Sequence, residues 1–207
     1  REKEQAEGDN YEVAMVAIDP DKGYIKALVG GKDYDASQVN MATGTGGSGR
    51  QAGSSFKTFT LVAAIEQGID PNTMIDASAT AKLPGWEVAN INHTNYGTKS
   101  ISDAFAVSSN TAFARLILSI GPDKVVDVAK RMGITSPLTA TGSLTLGSES
   151  VTPLEMANAY ATIANGGTHY DPECVERIVD RNGSTVVDNS QPQGERASYP
   201  EGAQSAT

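Results

Sequence analysis

Two short runs near the start of the chain, residues 13–18 and 24–29, are apolar at most positions and flank Asp19-Pro20-Asp21-Lys22-Gly23. Strand-length apolar runs joined by a Pro/Gly turn predict a β-hairpin, and their near-continuous apolar character predicts helices covering at least one face. Gly30-Gly31 ends the hairpin, and residues 32–53 form a long polar connection of a length that is uncommon unless it serves a function. This connection becomes glycine-rich (Gly44, Gly46, Gly47, Gly49, Gly53) and feeds Ser54-Ser55-Phe56-Lys57-Thr58-Phe59-Thr60-Leu61-Val62-Ala63-Ala64-Ile65. That run is apolar nearly all round and predicts a buried helix with Ser54 in its first turn.

Gly68-Ile69-Asp70-Pro71 closes the helix. Residues 72–100 read as irregular, with the lone Trp86 beside Pro84-Gly85 as a packing anchor. Ser102 is placed to cap a helix running through Phe105, which Ser108-Ser109-Asn110 interrupts. A second apolar helix follows over residues 111–120, ended by Gly121-Pro122. Val125, Val126, Ala129 and Met132 mark a third, amphipathic helix closed by Gly133. Thr152-Pro153-Leu154-Glu155 is a capping box with proline at the first helical position, and the helix it opens stops at Asn165-Gly166-Gly167. Residues 176–181 and 184–187 flank Asn182-Gly183, a strong hairpin signal. Hairpin, helices, hairpin is an α+β order.

Composition narrows the classes of function. The chain has 207 residues, 39% hydrophobic and 20% charged, which suits one soluble globular domain after a charged linker at residues 1–10. A net charge of −9 without a basic stripe argues against nucleic acid or an anionic membrane surface as partner. Cys174 is single, and the two histidines, His93 and His169, are far apart, so neither disulfide nor metal chemistry is called for and no cofactor is expected. No apolar run is long enough to span a membrane, and the start Arg1-Glu2-Lys3-Glu4, without an initiator Met, reads as that of a processed or excised piece.

The candidate chemistry begins with Ser54 and Lys57, three residues apart and therefore on one face of the predicted helix. Serine is a weak nucleophile that needs an adjacent base. Lysine can be that base where burial and a helix N-terminus, both hostile to positive charge, lower its pKa. The same N-terminus offers unpaired N–H groups to a developing oxyanion. A bare S-x-x-K is most simply a helix cap and a solvated lysine, so the motif needs partners. Ser108-x-Asn110, about fifty residues downstream, supplies a hydroxyl that can relay a proton and an amide that can hold both Lys57 and a substrate amide. Read alone, that triplet is a local turn satisfying its own backbone.

Taken together, Ser54-x-x-Lys57 and Ser108-x-Asn110 are the first two elements of the penicillin-binding signature. The chain resembles the transpeptidase domain of a bifunctional, class A penicillin-binding protein. The likeness extends to Val16-Ala17-Ile18-Asp19-Pro20, Ala27-Leu28-Val29-Gly30-Gly31-Lys32-Asp33-Tyr34, Gln38-Val39-Asn40-Met41-Ala42-Thr43 and Gly147-Ser148-Glu149-Ser150-Val151-Thr152-Pro153-Leu154-Glu155-Met156-Ala157-Asn158-Ala159-Tyr160-Ala161-Thr162, and covers roughly residues 11–190. The resemblance implies an α+β penicillin-binding-protein/β-lactamase-like fold over residues 11–207, with an antiparallel sheet packed against an α-helical region and the active site between them. It implies D-alanyl-D-alanine transpeptidation of peptidoglycan stem peptides through an acyl-enzyme on Ser54, inhibition by β-lactam antibiotics, and a place on the extracytoplasmic face of the bacterial membrane, with anchor and glycosyltransferase module outside this chain.

Two departures from the family pattern bear on these expectations. Ala52 stands where a proline is common. The third motif, K-T-G, is absent: after Ser108 the only lysines are Lys124 and Lys130, neither followed by Thr-Gly or Ser-Gly. The resemblance therefore implies a domain lacking its final strands, with a companion polypeptide carrying K-T-G as one way to complete it. Three rival readings follow: a catalytically impaired module that binds muropeptide or β-lactam, a D,D-carboxypeptidase, and a β-lactamase. The last needs a deacylating Glu in an E-x-x-L-N pattern, and Glu155-Met156-Ala157-Asn158, inside the capped helix, does not supply it.

Overall fold

A computed structural model describes residues 12–47 and 49–197; the segment read as a linker, residues 1–10, lies outside the described residues. The described residues fall into two compact units. One comprises residues up to Arg50 with 131–136 and 151–197, and the other comprises 51–130 with 137–150.

In the first unit the expected hairpin is β1 (Met15–Ile18) paired antiparallel with β2 (Ile25–Val29), with a bulge between Ala17 and Ile18. Val16 and Ile18 are half-buried, whereas Met15, at the alternate position, is 55% exposed. The helix α5 (Pro153–Ala164) packs against β1, so the expected cover is present on this hairpin. The capping box at its start is complete. Thr152 Oγ1 accepts from the Glu155 N–H at 3.1 Å, and Glu155 Oε2 accepts from the Thr152 N–H at 2.7 Å. Glu155 also takes the N–H and hydroxyl groups of both Thr135 and Ser136, which pins residues 131–136 to α5. These donors hold its carboxyl below the usual range against the opposing effect of burial.

The later hairpin pairs β8 (Arg177–Val179) with β9 (Thr185–Asp188). Its turn is not the two-residue Asn-Gly loop that the dipeptide predicts. Asp180 N–H donates to the Ser184 carbonyl at 2.8 Å, leaving residues 181–183 as a three-residue loop with Gly183 at φ 85°. Such loops place glycine at the left-handed position. The short strands β7 (Thr168–His169) and β10 (Glu195–Arg196) complete this unit, antiparallel to each other. Among the described residues each of these antiparallel sheets has two strands.

The second unit is organised on α1 (Lys57–Glu66), α3 (Asn110–Ile120) and a 3₁₀ turn at Gly142–Leu146, which pack on one another. Phe59, Ala63 and Ala64 from the first, with Phe56 just before it, Ala112, Phe113, Leu116, Ile117 and Ile120 from the second, and Leu144 from the turn are all buried. Each large side chain among them contributes roughly 1.5–3 kcal/mol by leaving water. The helix α2 (Ile101–Ala106) precedes α3 and is capped by Ser100, whose Oγ accepts from the Asp103 N–H at 3.0 Å, rather than by Ser102. The helix α4 (Pro122–Arg131) buries Val125, Val128 and Ala129, so the inward stripe runs through Val128 and not through Val126.

Residues 72–100 are not irregular. They hold β3 (Met74–Asp76) paired with β6 (Thr98–Ser100), and between them the hairpin of β4 (Thr80–Leu83) and β5 (Trp86–Ala89) around Pro84-Gly85. Strands of three or four residues are too short to show a period, which is why the pattern hides them. Trp86 is the expected anchor, packed with Leu83 and Leu146 against Ala81, Val88 and Ala114.

Candidate active site

The site lies within the second unit. Gly53–Phe56 forms a 3₁₀ turn that runs into α1 without a break, so Ser54 sits in that turn and Lys57 is the first residue of the α-helix. With three residues per turn, side chains at i and i+3 eclipse, which stacks Lys57 directly over Ser54. Their Nζ and Oγ atoms are 3.0 Å apart. Ser54 is exposed while Lys57 is 1% exposed, so the hydroxyl faces outward and the amine lies beneath it. The neighbouring Ser55 turns elsewhere, donating its hydroxyl to the Ala52 carbonyl at 2.7 Å.

Three contacts hold this turn in place. A Cβ on Gly147 (φ 69°) would lie 2.2 Å from Gly53 N and 2.3 Å from Gly53 O, so the two backbones touch where only glycine fits. Thr60 donates to Thr145 through a buried hydroxyl pair at 2.8 Å, and Gln51 Nε2 reaches the Ser148 carbonyl at 3.0 Å. Nothing local in the sequence marks these supports, although Gly147 opens one of the family stretches.

The second motif occupies the joint between α2 and α3. Ser108 takes a left-handed backbone, φ 54°, which costs a non-glycine residue about 1–2 kcal/mol. Ser109 is the N-cap of α3, with Oγ accepting from the Ala112 N–H at 3.2 Å, so the local-turn role belongs to the middle residue of the triplet. Ser108 and Asn110 instead both face Lys57. Its Nζ lies 2.7 Å from the Ser108 carbonyl oxygen, 2.9 Å from the Ser108 hydroxyl and 2.8 Å from Asn110 Oδ1. Asn110 Nδ2 donates to the Ala89 carbonyl at 3.1 Å, committing one amide proton and leaving one for another acceptor. The four predicted residues thus meet at a single amine.

A tetrahedral nitrogen bonded to Cε has room for three partners, and here four oxygens surround it. The Ser108 carbonyl and Asn110 Oδ1 can only accept, whereas the two hydroxyls can accept or donate. A neutral amine would give its two protons to the first pair and turn its lone pair to a hydroxyl; an ammonium would give the third proton to one of them. Burial lowers the Lys57 pKa from 10.5 to about 8, and the Phe113 ring forms part of the apolar surround at 6.0 Å. The position at the positive end of α1 acts in the same direction. All four partners are uncharged oxygens, so the amine can exchange its proton with either serine.

Residues 13–206 match the family model of the penicillin binding protein transpeptidase domain. This chain belongs to that family. It is 37% identical over 189 residues to penicillin-binding protein 2D of Bacillus subtilis, covering 88% of this chain and 27% of the relative. It is 34% identical over 193 residues to penicillin-binding protein 1A of Mycobacterium tuberculosis, with 86% of this chain and 23% of the relative covered. The structure resembles that of PonA1 from Mycobacterium tuberculosis in complex with penicillin V, with a TM-score of 0.79 and 32% identity over 93% of this chain and 55% of that one. Penicillin-binding protein 1A from Haemophilus influenzae gives a TM-score of 0.77 at 32% identity, covering 89% of this chain and 28% of that one. The chain thus spans about a quarter of the length of the curated relatives it matches. Its fold is that of the penicillin-binding transpeptidase domains, as the motifs implied. Among the described residues, no helix is long and apolar enough to cross a membrane.

Proposed function

We propose that this domain is a serine D-alanyl-D-alanine transpeptidase that cross-links peptidoglycan stem peptides and is acylated by β-lactams. The observation that carries the reading is the Lys57 amine, placed between the Ser54 hydroxyl and the Ser108/Asn110 pair. In the first half-reaction Ser54 Oγ bonds to the carbonyl carbon of the penultimate D-Ala while its proton passes to neutral Lys57. The C–N bond to the terminal D-Ala then breaks, and the departing amine takes that proton from Lys57 by way of the Ser108 hydroxyl. In the second half-reaction an amine of a neighbouring stem peptide attacks the ester and gives its proton to Lys57. The Ser54–carbonyl bond breaks, and Ser54 Oγ takes that proton back from Lys57, which is left neutral for the next cycle. Asn110 orients Lys57 through Oδ1 and offers its remaining amide proton to the substrate.

A K-T-G strand, which the 207 residues do not contain, would add a second oxyanion donor and the groups that bind the substrate carboxylate. In this reading it is supplied by a longer form of the chain or by a companion polypeptide. A domain that acts on peptidoglycan would do so on the extracytoplasmic face of the membrane.

Intact mass and peptide mapping of the full-length protein after penicillin treatment test the assignment. One adduct is expected, on Ser54, absent from Ser54→Ala and retained in Ser55→Ala. An adduct that maps to Ser55, or that persists in Ser54→Ala, would overturn it.

A further inference from the structure

Asn90, the residue after β5, is 4% exposed and belongs to neither signature motif. Its amide nevertheless joins the Ser108–Asn110 segment to the rest of the unit. Oδ1 accepts from the Ser109 hydroxyl at 3.0 Å and from the Thr111 N–H at 3.1 Å, and lies 3.3 Å from the Thr111 hydroxyl oxygen. Nδ2 lies 3.0 Å from the Ala77 carbonyl, 3.1 Å from that of Ser78 and 2.9 Å from that of Thr94. Thr111 closes the circuit with a hydroxyl bond of 2.8 Å to the Ser78 carbonyl. The residue before Asn90 acts at the same place, since the Ala89 carbonyl takes the Asn110 amide.

From this we infer that Asn90 is a positioning residue for the acylation step: it grips Ser109 and Thr111, on either side of Asn110, and thereby sets where Asn110 and the Ser108 carbonyl stand relative to Lys57. The chemistry of the side chain supports the assignment. A carboxamide presents an acceptor and a two-proton donor side by side on one short planar group. Aspartate would set an acceptor against three carbonyls, and leucine would satisfy none of the six groups. Ser108 and Asn110 reach Lys57 across a gap in sequence of more than fifty residues, so the alignment depends on whatever fixes the start of α3. A misplacement of about 1 Å in a catalytic constellation can cost roughly 10²-fold in rate.

The inference rests on Ser54 being the acylated residue, and the test separates the two. Acylation by a fluorescent penicillin is measured on the full-length protein for wild type, Asn90→Ala and Thr111→Val, giving three numbers: the fraction of molecules that label, the maximal labelling rate of that fraction, and the penicillin concentration at half-saturation. Asn90→Ala is expected to lower the maximal rate by about 10²-fold with half-saturation changed less than about twofold. Thr111→Val, nearly isosteric and losing only the hydroxyl arm, should lower the rate by a few-fold in the same manner. A merely structural Asn90 would reduce the labelled fraction or the melting temperature and leave the rate of the surviving molecules intact; that result overturns the inference. If Asn90→Ala does not fold, Thr111→Val decides, and a rate within twofold of wild type counts against the inference. A wild type that forms no adduct on Ser54 would overturn the proposed function, and the inference with it.

Discussion

Lys57 contacts Ser108 twice, through its carbonyl oxygen at 2.7 Å and its hydroxyl at 2.9 Å. The first contact depends on the left-handed backbone at Ser108 and the second on its side chain, so substitution can separate them. Ser108→Gly keeps the backbone angle without strain and deletes only the hydroxyl. The acylation rate is expected to fall by about 10²-fold, the scale of one lost proton relay. Thermal stability should stay within about 1 kcal/mol of wild type, because relieved strain offsets the added freedom of the unfolded glycine. A Gly variant that acylates at close to the wild-type rate would remove the Ser108 hydroxyl from the proposed mechanism.

The second prediction concerns pH. With its pKa lowered to about 8 by burial, Lys57 carries a proton in most molecules at neutral pH, and only the neutral fraction can act as base. The acylation rate of wild type should therefore rise about tenfold per pH unit below the limb and level off above pH 8 or so. Lys57→Arg should lose the limb together with most of the rate, since a guanidinium stays protonated. A profile flat between pH 6 and pH 9 would show that Lys57 is not the titrating base.

The same shift has a consequence for stability. In the unfolded chain Lys57 keeps its proton up to its ordinary value of 10.5, whereas in the folded state it releases it near 8. Between those values the unfolded state binds more protons, so the contribution of Lys57 to stability improves as pH rises through that window. Below 8 both states are protonated and the penalty of burying the charge is constant. Lys57→Met has no such dependence. The stability of wild type minus that of Lys57→Met should climb from pH 8 to pH 10.5 by up to about 3 kcal/mol. Parallel curves from denaturant unfolding across this range would refute the depressed pKa.

A fourth prediction tests the contact between Gly147 and Gly53. An added Cβ at Gly147 would overlap the Gly53 backbone, which cannot rotate away as a side chain tip could, and φ 69° is itself unfavourable for alanine. Gly147→Ala should lower stability by about 2–4 kcal/mol and, because the displaced segment carries Ser54, slow acylation of the molecules that remain folded. Gly183→Ala is the control, with a similar φ of 85° but nothing within 4 Å of the added carbon, and should cost about 1 kcal/mol with no change in rate. Equal effects in the two variants would show that the close approach is unimportant.

The legible part of this protein is the part decided within one turn of chain. Ser54 and Lys57 could be paired from their spacing because a helical turn brings i and i+3 together whatever surrounds it. For the same reason Thr152 and Glu155 announced their capping box, and both apolar helices showed in their composition. The family stretches then let Ser108 and Asn110 be assigned to the site by resemblance, although nothing local requires a polar triplet fifty residues away to face a lysine.

What only the tertiary structure decided is how far that lysine differs from an ordinary one. Its burial, the left-handed carbonyl of Ser108, the 2.8 Å contact with Asn110 Oδ1, the Gly147–Gly53 approach and the six-contact amide of Asn90 each depend on groups distant in sequence. The strands within residues 72–100 belong here as well, since β3 and β6 become strands by pairing with each other across the hairpin between them. Local spacing is set by the geometry of one backbone turn. The pKa of a buried amine and the angle of a carbonyl are set by whatever packing brings to them, and packing is a property of the whole unit.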